Sequence, residues 1–109
     1  MIEVPLTATP NQEVSVELDD QDCTVQVRQL GSYTFLSLWL DADLIVENAI
    51  CMPGVAILQG YIPKFKGNFV LVDSSDPEKQ QLSDYRELGS RFLLLYLTEA
   101  EVNEQSQYV

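Results

Sequence analysis

The sequence has no histidine and few basic residues. Of its 109 residues, 17 are acidic and six are basic, which gives a formal net charge of −11 at pH 7. The missing histidine removes the commonest general base and the commonest neutral metal ligand at physiological pH. The negative charge disfavours attraction to phosphate backbones and to anionic lipid headgroups. We therefore expect a protein that is not an enzyme and that contacts neither nucleic acid nor a membrane directly.

The usual motifs of catalysis and cofactor binding are also missing. The five glycines are dispersed and never take the spacing of a phosphate-binding or dinucleotide-binding loop. No serine lies in a Gly-x-Ser-x-Gly setting, and Cys23 and Cys51 lie outside any C-x-x-C motif. Isolated cysteines in a reducing compartment are most often small buried thiols. The sequence therefore predicts no catalytic residue, no disulfide, no metal ligand and no cofactor.

Acidic clusters are the remaining candidates for chemistry. Asp19-Asp20-Gln21-Asp22 superficially suggests a calcium site, but it lacks the glycine and the distal glutamate of an EF-hand loop. Asp41 with Asp43, and Asp73 with Asp76, are pairs of a kind that act as acid and base in some active sites. The same residues are the ordinary side chains of turns. We interpret all three clusters as turn residues.

Length and hydrophobic pattern predict one small domain. A chain of 109 residues fits a single core, and no uncharged run is long enough to span a bilayer. The first residues lack the features of a secretory signal, so we expect synthesis in the cytosol. We place a β-rich domain at residues 1–98 and a short or disordered acidic C-terminal tail at residues 99–109. Thr98 and Glu101 fit the capping box of a helix start, but the residues that follow offer little apolar face.

Alternation of apolar and polar residues predicts an all-β fold. The alternation runs through residues 13–18 and resumes at residues 23–28, after turn-prone side chains at residues 19–22. This pattern is typical of an antiparallel hairpin with an acidic tip. A second hairpin is predicted at residues 33–51 and another short strand at residues 55–58. We expect a single compact antiparallel β-barrel or β-sandwich of about seven to nine short strands.

Aromatic side chains within the predicted strand at residues 33–40 allow two interpretations. Phe35 and Trp39 share one face of this strand, opposite its leucines. The two rings either fill a second core layer or mark a contact surface. Together with Tyr61, they are candidates for an apolar patch that closes only against a partner.

A long polar loop leads into a predicted core strand. Phe92–Leu97 is a run of six apolar residues, too short for a membrane span and suited to a central strand covered on both faces. The polar stretch at residues 73–86 is too long for a hairpin turn and is typical of a functional or subunit-contacting loop. Arg91 is in range of Asp84 or Glu87. It either contacts a partner or clamps the loop to the sheet, and we favour the clamp because exposed pairs contribute little.

Several short segments occur in an order that is similar to one known family. They are Ile2-Glu3-Val4-Pro5-Leu6, Ala8-Thr9-Pro10-Asn11-Gln12, Cys51-Met52-Pro53-Gly54, Gly67-Asn68-Phe69 and Leu88-Gly89-Ser90-Arg91. In this order they resemble the baseplate plug proteins of contractile-tailed bacteriophages, including cyanophages, over roughly residues 2–98. The resemblance implies a structural virion protein of the tail baseplate, present in several symmetric copies. It implies contacts with the hub and spike, the first ring of the tube and the surrounding wedges, and a role in stabilising the state before contraction.

Polarity and position select three candidate contact regions, which are a small basic loop, the loop before the last strand and the acidic tail. The residues are Lys64, Phe65, Lys66, Asp76, Asp84, Tyr85, Arg86, Glu99 and Glu101. The alternative function is a small acidic nucleic-acid mimic that inhibits a basic host protein, which the net charge permits. A mimic needs its carboxylates on one face, whereas those of this chain are spread over predicted turns, strand edges and the tail.

Overall fold

Seven strands and one short helix make up the regular structure of the described residues. The computed structural model describes residues 1–58, 65–75 and 83–106, with side chains up to residue 102. The elements, in chain order, are β1 (Ile2–Val4), β2 (Asn11–Leu18), β3 (Gln21–Leu30), β4 (Tyr33–Leu40), β5 (Asp43–Ile50), β6 (Asn68–Asp73), a 3₁₀ turn (Tyr85–Glu87), β7 (Phe92–Leu97) and α1 (Glu99–Ser106). No helix within these ranges is long and apolar enough to cross a membrane.

The strands form two antiparallel sheets. The first has the order β1-β7-β6 and the second the order β2-β3-β4-β5. β7, predicted as a central strand, pairs with β1 on one side and β6 on the other. The two sheets enclose one core and, among the described strands, do not close into a barrel. The prediction of an all-β fold is confirmed in its sandwich form.

Both predicted hairpins are present. β2 pairs along its whole length with residues 21–28 of β3, and β4 pairs with β5. The turn between β2 and β3 consists of Asp19 and Asp20, with φ angles of 51° and 61°. A two-residue turn with both residues in the left-handed region matches the natural twist of a hairpin, and aspartate tolerates that region better than most residues. The acidic tip therefore follows from turn geometry.

The edge strand β5 is irregular where it passes Ser37. The register between β4 and β5 shifts between Leu36 and Leu38, and Asn48 has a φ angle of 52°. The backbone N–H of Asn48 donates to Ser37 Oγ at 2.9 Å. A buried hydroxyl thus replaces a ladder partner, which produces a β-bulge in this strand.

The prediction of a strand at residues 55–58 is wrong. Within these residues only Ala56 forms a β-bridge, which pairs it with Val70. The side chain of Asn68 takes the next ladder position, because its Oδ1 accepts from the Leu58 N–H at 2.9 Å and its Nδ2 donates to the Leu58 carbonyl at 3.0 Å. Side-chain hydrogen bonds of this kind compete with sheet pairing. Regular pairing therefore ends after a single bridge.

The core lies between the facing sides of the two sheets. Val25, Leu36 and Leu38 of the four-stranded sheet are fully buried, as are Phe69 and Tyr96 of the three-stranded sheet. The rings of Phe69 and Tyr96 meet edge to face with 5.3 Å between their centroids. This arrangement is favourable for aromatic quadrupoles, so the pair stabilises the sandwich beyond the area that it buries.

Candidate partner-contact surfaces

The predicted basic loop is divided between surface and core. Lys64 lies outside the described residues. Lys66 is exposed, but Phe65 is only 7% exposed and stacks on Phe69 with 5.7 Å between ring centroids. The placement of Phe65 among the surface contacts is corrected, because its ring completes an aromatic cluster with Phe69 and Tyr96 inside the core.

Side chains of both sheets fix the backbone of Lys66. Gln21 Nε2 donates to the Lys66 carbonyl at 3.3 Å, and Gln21 Oε1 accepts from the Lys66 N–H at 3.0 Å. The Tyr96 hydroxyl lies 2.6 Å from the same carbonyl and 2.7 Å from Asp19 Oδ2. Burial, together with the Asp19 carboxylate, raises the pKa of Tyr96. The hydroxyl therefore stays protonated, and Lys66 is presented on a rigid backbone.

Asp19 has a structural role that the sequence did not reveal. Besides the Tyr96 hydroxyl, its Oδ2 accepts from the backbone N–H of Glu99 at 3.1 Å. These partners are 77 and 80 residues away in the chain, so no local pattern predicts them. Asp19 thus ties the acidic hairpin tip to the end of β7. Across the described residues, no group of three or more acidic, cysteine or histidine side chains is placed to hold a metal ion.

Residues of the loop before β7 are held against the sandwich, as far as this loop is described. Asp76 lies outside the described residues. The Tyr85 N–H donates to Gln29 Oε1 at 2.6 Å, and the Tyr85 side chain packs against the core. Asp84 and Arg86 pair with each other at 2.7 Å on the surface. Hydrogen bonds from Arg86 lower the pKa of Asp84 to about 2.

Arg91 forms a clamp inside the chain. Its Nε and one terminal nitrogen each donate to the Asp73 carboxylate at 2.9 Å. Its other terminal nitrogen lies 3.4 Å from Glu87 Oε2. The predicted clamp and the predicted Glu87 contact are confirmed, whereas Asp84 pairs elsewhere and Asp73 was not foreseen. Because the Asp73 carboxylate is fully buried, the clamp stabilises the junction of β6 and β7.

The first turn of α1 is attached to the sandwich. The predicted capping box is present, because the Thr98 N–H donates to Glu101 Oε1 at 3.1 Å and the Glu101 N–H donates to Thr98 Oγ1 at 3.2 Å. The N-terminal amine of Met1 lies 2.7 Å from Glu101 Oε2. This amine lowers the pKa of Glu101. Glu101 is therefore engaged inside the chain, while the Glu99 side chain is exposed.

The outer face of the four-stranded sheet, which is the face turned away from the core, carries exposed apolar side chains. Phe35 and Trp39 are half-buried there. The register places Phe35 beside Ile50 and Trp39 beside Leu44, and these neighbours are 45% and 49% exposed. Of the two interpretations of the rings, the contact surface is the one this exposure supports. Tyr61 lies outside the described residues.

Both cysteines are free and buried, as predicted. We expect neither thiol to be labelled readily in the folded protein. Burial raises the pKa of Cys51 to about 12 and that of Cys23 to about 11. A thiol with a pKa near 12 carries about a thousandfold less thiolate at neutral pH than an ordinary thiol. Labelling with a disulfide reagent should therefore be at least about a hundredfold slower in buffer than in denaturant. Equal rates in the two solutions would contradict the burial.

The fold and these surfaces define a class of protein, a small acidic β-sandwich whose described loop residues are hydrogen-bonded to the sheets and whose outer sheet face is exposed. The family model described as cyanophage baseplate Pam3 plug gp18 matches residues 1–99, so the chain belongs to this baseplate plug family. The protein is a structural component of the phage tail baseplate and interacts with other baseplate components. The comparison with curated proteins finds no significant match. The resemblance seen in the sequence is confirmed, and nothing supports the nucleic-acid mimic.

Proposed function

We propose that the protein is a plug that joins the central hub, spike and tube of a contractile tail to the surrounding baseplate. The observation that carries this proposal is the family match over residues 1–99. The neighbours in this arrangement are the hub and spike, the protein that initiates the tube and the wedge proteins. Several symmetric copies fill equivalent positions, and assembly takes place in the host cytoplasm.

The plug stabilises the baseplate before contraction, and it acts by binding and not by catalysis. The net charge of −11 favours encounter with basic neighbours. The Arg91–Asp73 and Tyr96–Asp19 contacts fix the junction of β6 and β7 and the tip of the first hairpin, so these parts need little ordering when a partner binds. A bound protein shifts an equilibrium only by the difference between its affinities for the two states. The contacts of the plug must therefore weaken or change when the tail contracts.

Phage that lack the protein test this function. We expect most of their particles to have incomplete tails or tails that contract without a trigger, because the resting baseplate loses a component that favours it. Electron microscopy of purified particles gives the fractions of extended, contracted and missing tails. Expression of the intact chain from a plasmid during infection should restore extended tails. Normal, stable extended tails without the protein would overturn the proposal.

A further inference from the structure

The apolar part of the outer face extends along β4 and β5. Leu44 and Ile50 lie beside Trp39 and Phe35, as described above. At the far end of β4, Tyr33 pairs with Leu30 of β3, and these two residues are 45% and 50% exposed. Apolar side chains that are grouped on one sheet face mark an interaction site more often than single exposed ones do. The face is thus a candidate for burial in the assembled baseplate.

The other part of the outer face is acidic. Glu13 and Glu17 project from β2, and Glu17 pairs with Asp22 of β3. Arg28 is the one basic residue in the whole of residues 1–58, and it also lies on this face, where it pairs with Phe35. The carboxylates of Glu13, Glu17 and Asp22 outnumber it. The electrostatic potential of this part is therefore negative, and a partner surface that covers it has to supply positive charge.

A groove joins the two parts of the face at Trp39. It is lined by Glu13, Thr24, Trp39 and Asp41 and has a volume of about 230 Å³. An indole ring attracts a cation more strongly than any other side-chain ring, and the carboxylates at either side can hydrogen-bond to that cation. Arginine suits such a site best, because its planar guanidinium both stacks and forms paired hydrogen bonds.

We propose that the outer face docks a basic surface of another baseplate protein, with one arginine or lysine side chain of that partner in the Trp39 groove. Apolar side chains of the partner then cover Leu44 and Ile50. A second copy of this chain is a poor occupant, because its outer face offers only the guanidinium of Arg28 to the carboxylates of Glu13, Glu17 and Asp22. Most of these carboxylates would then be covered without a positive partner. This inference rests on the proposed function, and it adds the surface and the chemistry of the partner.

Photo-cross-linking in intact particles tests the inference. Cells that support infection express the chain with p-benzoylphenylalanine at Leu44, and purified particles are irradiated. The same substitution at Ile2, which is 44% exposed on β1 of the other sheet, is the position control. We expect Leu44 to cross-link to a different baseplate protein, in a segment that carries arginine or lysine. Immunoblots report how much of the chain each particle contains, so that the yield is measured per incorporated chain.

Charge variants at the groove test the chemistry of the partner. The double variant Glu13→Gln with Asp41→Asn should lower the cross-linking yield from Leu44 about tenfold, because it removes both carboxylates beside Trp39. Asparagine suits position 41, where the φ angle is 54°. Glu3→Gln with Asp20→Asn removes the same charge at exposed positions outside the groove, where asparagine also suits the Asp20 φ angle of 61°. This variant should change the yield less than about twofold.

Four results would overturn the inference. Cross-linking of Leu44 to a second copy would make the face a contact between copies. An equal loss of cross-linking yield in the two double variants would show that the carboxylates of the groove have no specific role in docking. If the chain is incorporated and Leu44 cross-links to nothing, the proposal that this face docks a partner is wrong, while the proposed function stands. Absence of the chain from particles would contradict the proposed function itself, and this inference with it.

Discussion

Replacing Phe69 with alanine should lower the free energy of unfolding by about 4 kcal/mol, because the change removes a fully buried ring and leaves a cavity. Phe69 has no exposed surface, stacks on Phe65 and meets Tyr96 edge to face. The cavity would open at the centre of this aromatic cluster, where the surrounding strands cannot close it without losing their pairing. Urea unfolding followed by circular dichroism measures the loss.

Phe35→Ala is the matched control for this substitution. It deletes the same side chain from the outer face, where the ring is half-buried and water can fill the space. We expect a loss of about 1 kcal/mol or less from the smaller change in buried area. Similar losses for the two variants would mean that Phe69 does not form the centre of the core. A stable Phe35→Ala protein would also show that the outer face is not needed for folding.

The second large effect is expected from Arg91→Ala, which should lower the melting temperature by about 15 °C. The substitution takes the guanidinium away from the Asp73 carboxylate, whose side chain is fully buried. Ser75 still donates to this carboxylate from its backbone N–H at 3.0 Å and its hydroxyl at 2.7 Å. Neutral hydrogen bonds of this kind do not replace a cation next to a buried charge. Differential scanning calorimetry at neutral pH gives the shift.

Arg86→Ala removes the other arginine–aspartate pair and serves as the control. Its guanidinium is 73% exposed and contacts Asp84 on the surface. Exposed pairs of this kind contribute little, so the melting temperature should change by less than about 3 °C. If Arg86→Ala lowers the melting temperature as much as Arg91→Ala does, burial of the carboxylate is not the cause of the effect.

The sequence predicted those parts of the fold that depend on neighbours in the chain. Alternation revealed both hairpins, and the six apolar residues of β7 revealed the centre of the three-stranded sheet. The pairing of Arg91 with Glu87 was visible because the two residues are four positions apart. Its pairing with Asp73 was not, since that contact requires β6 and β7 to lie side by side. Phe65 was misplaced because two lysines flank it, although its ring points into the core.

The outer face was only partly predictable, because the pairing of β4 with β5 shifts its register twice. Phe35 and Trp39 were placed together by alternation along β4. Their neighbours Leu44 and Ile50 belong to β5, where the bulge at Asn48 interrupts the period of two. Strict alternation would place Leu44 and Ile50 on one face, but it would add Val46 to that face, whereas Val46 pairs with the buried Leu38 and packs against the core. The apolar surface therefore becomes visible only when the register of the two strands is known.

The same bulge affects how the protein associates with other copies before it enters a baseplate. β5 and β2 are the two edge strands of the four-stranded sheet. A straight edge strand has unpaired backbone groups to which a strand of another chain can pair. The bulge at Asn48 interrupts β5, and Glu13 and Glu17 place carboxylates along β2. Bulges and charges of this kind oppose the edge-to-edge addition of strands from other chains. Before assembly, the four-stranded sheet thus offers other chains no straight, uncharged edge on which to add a strand.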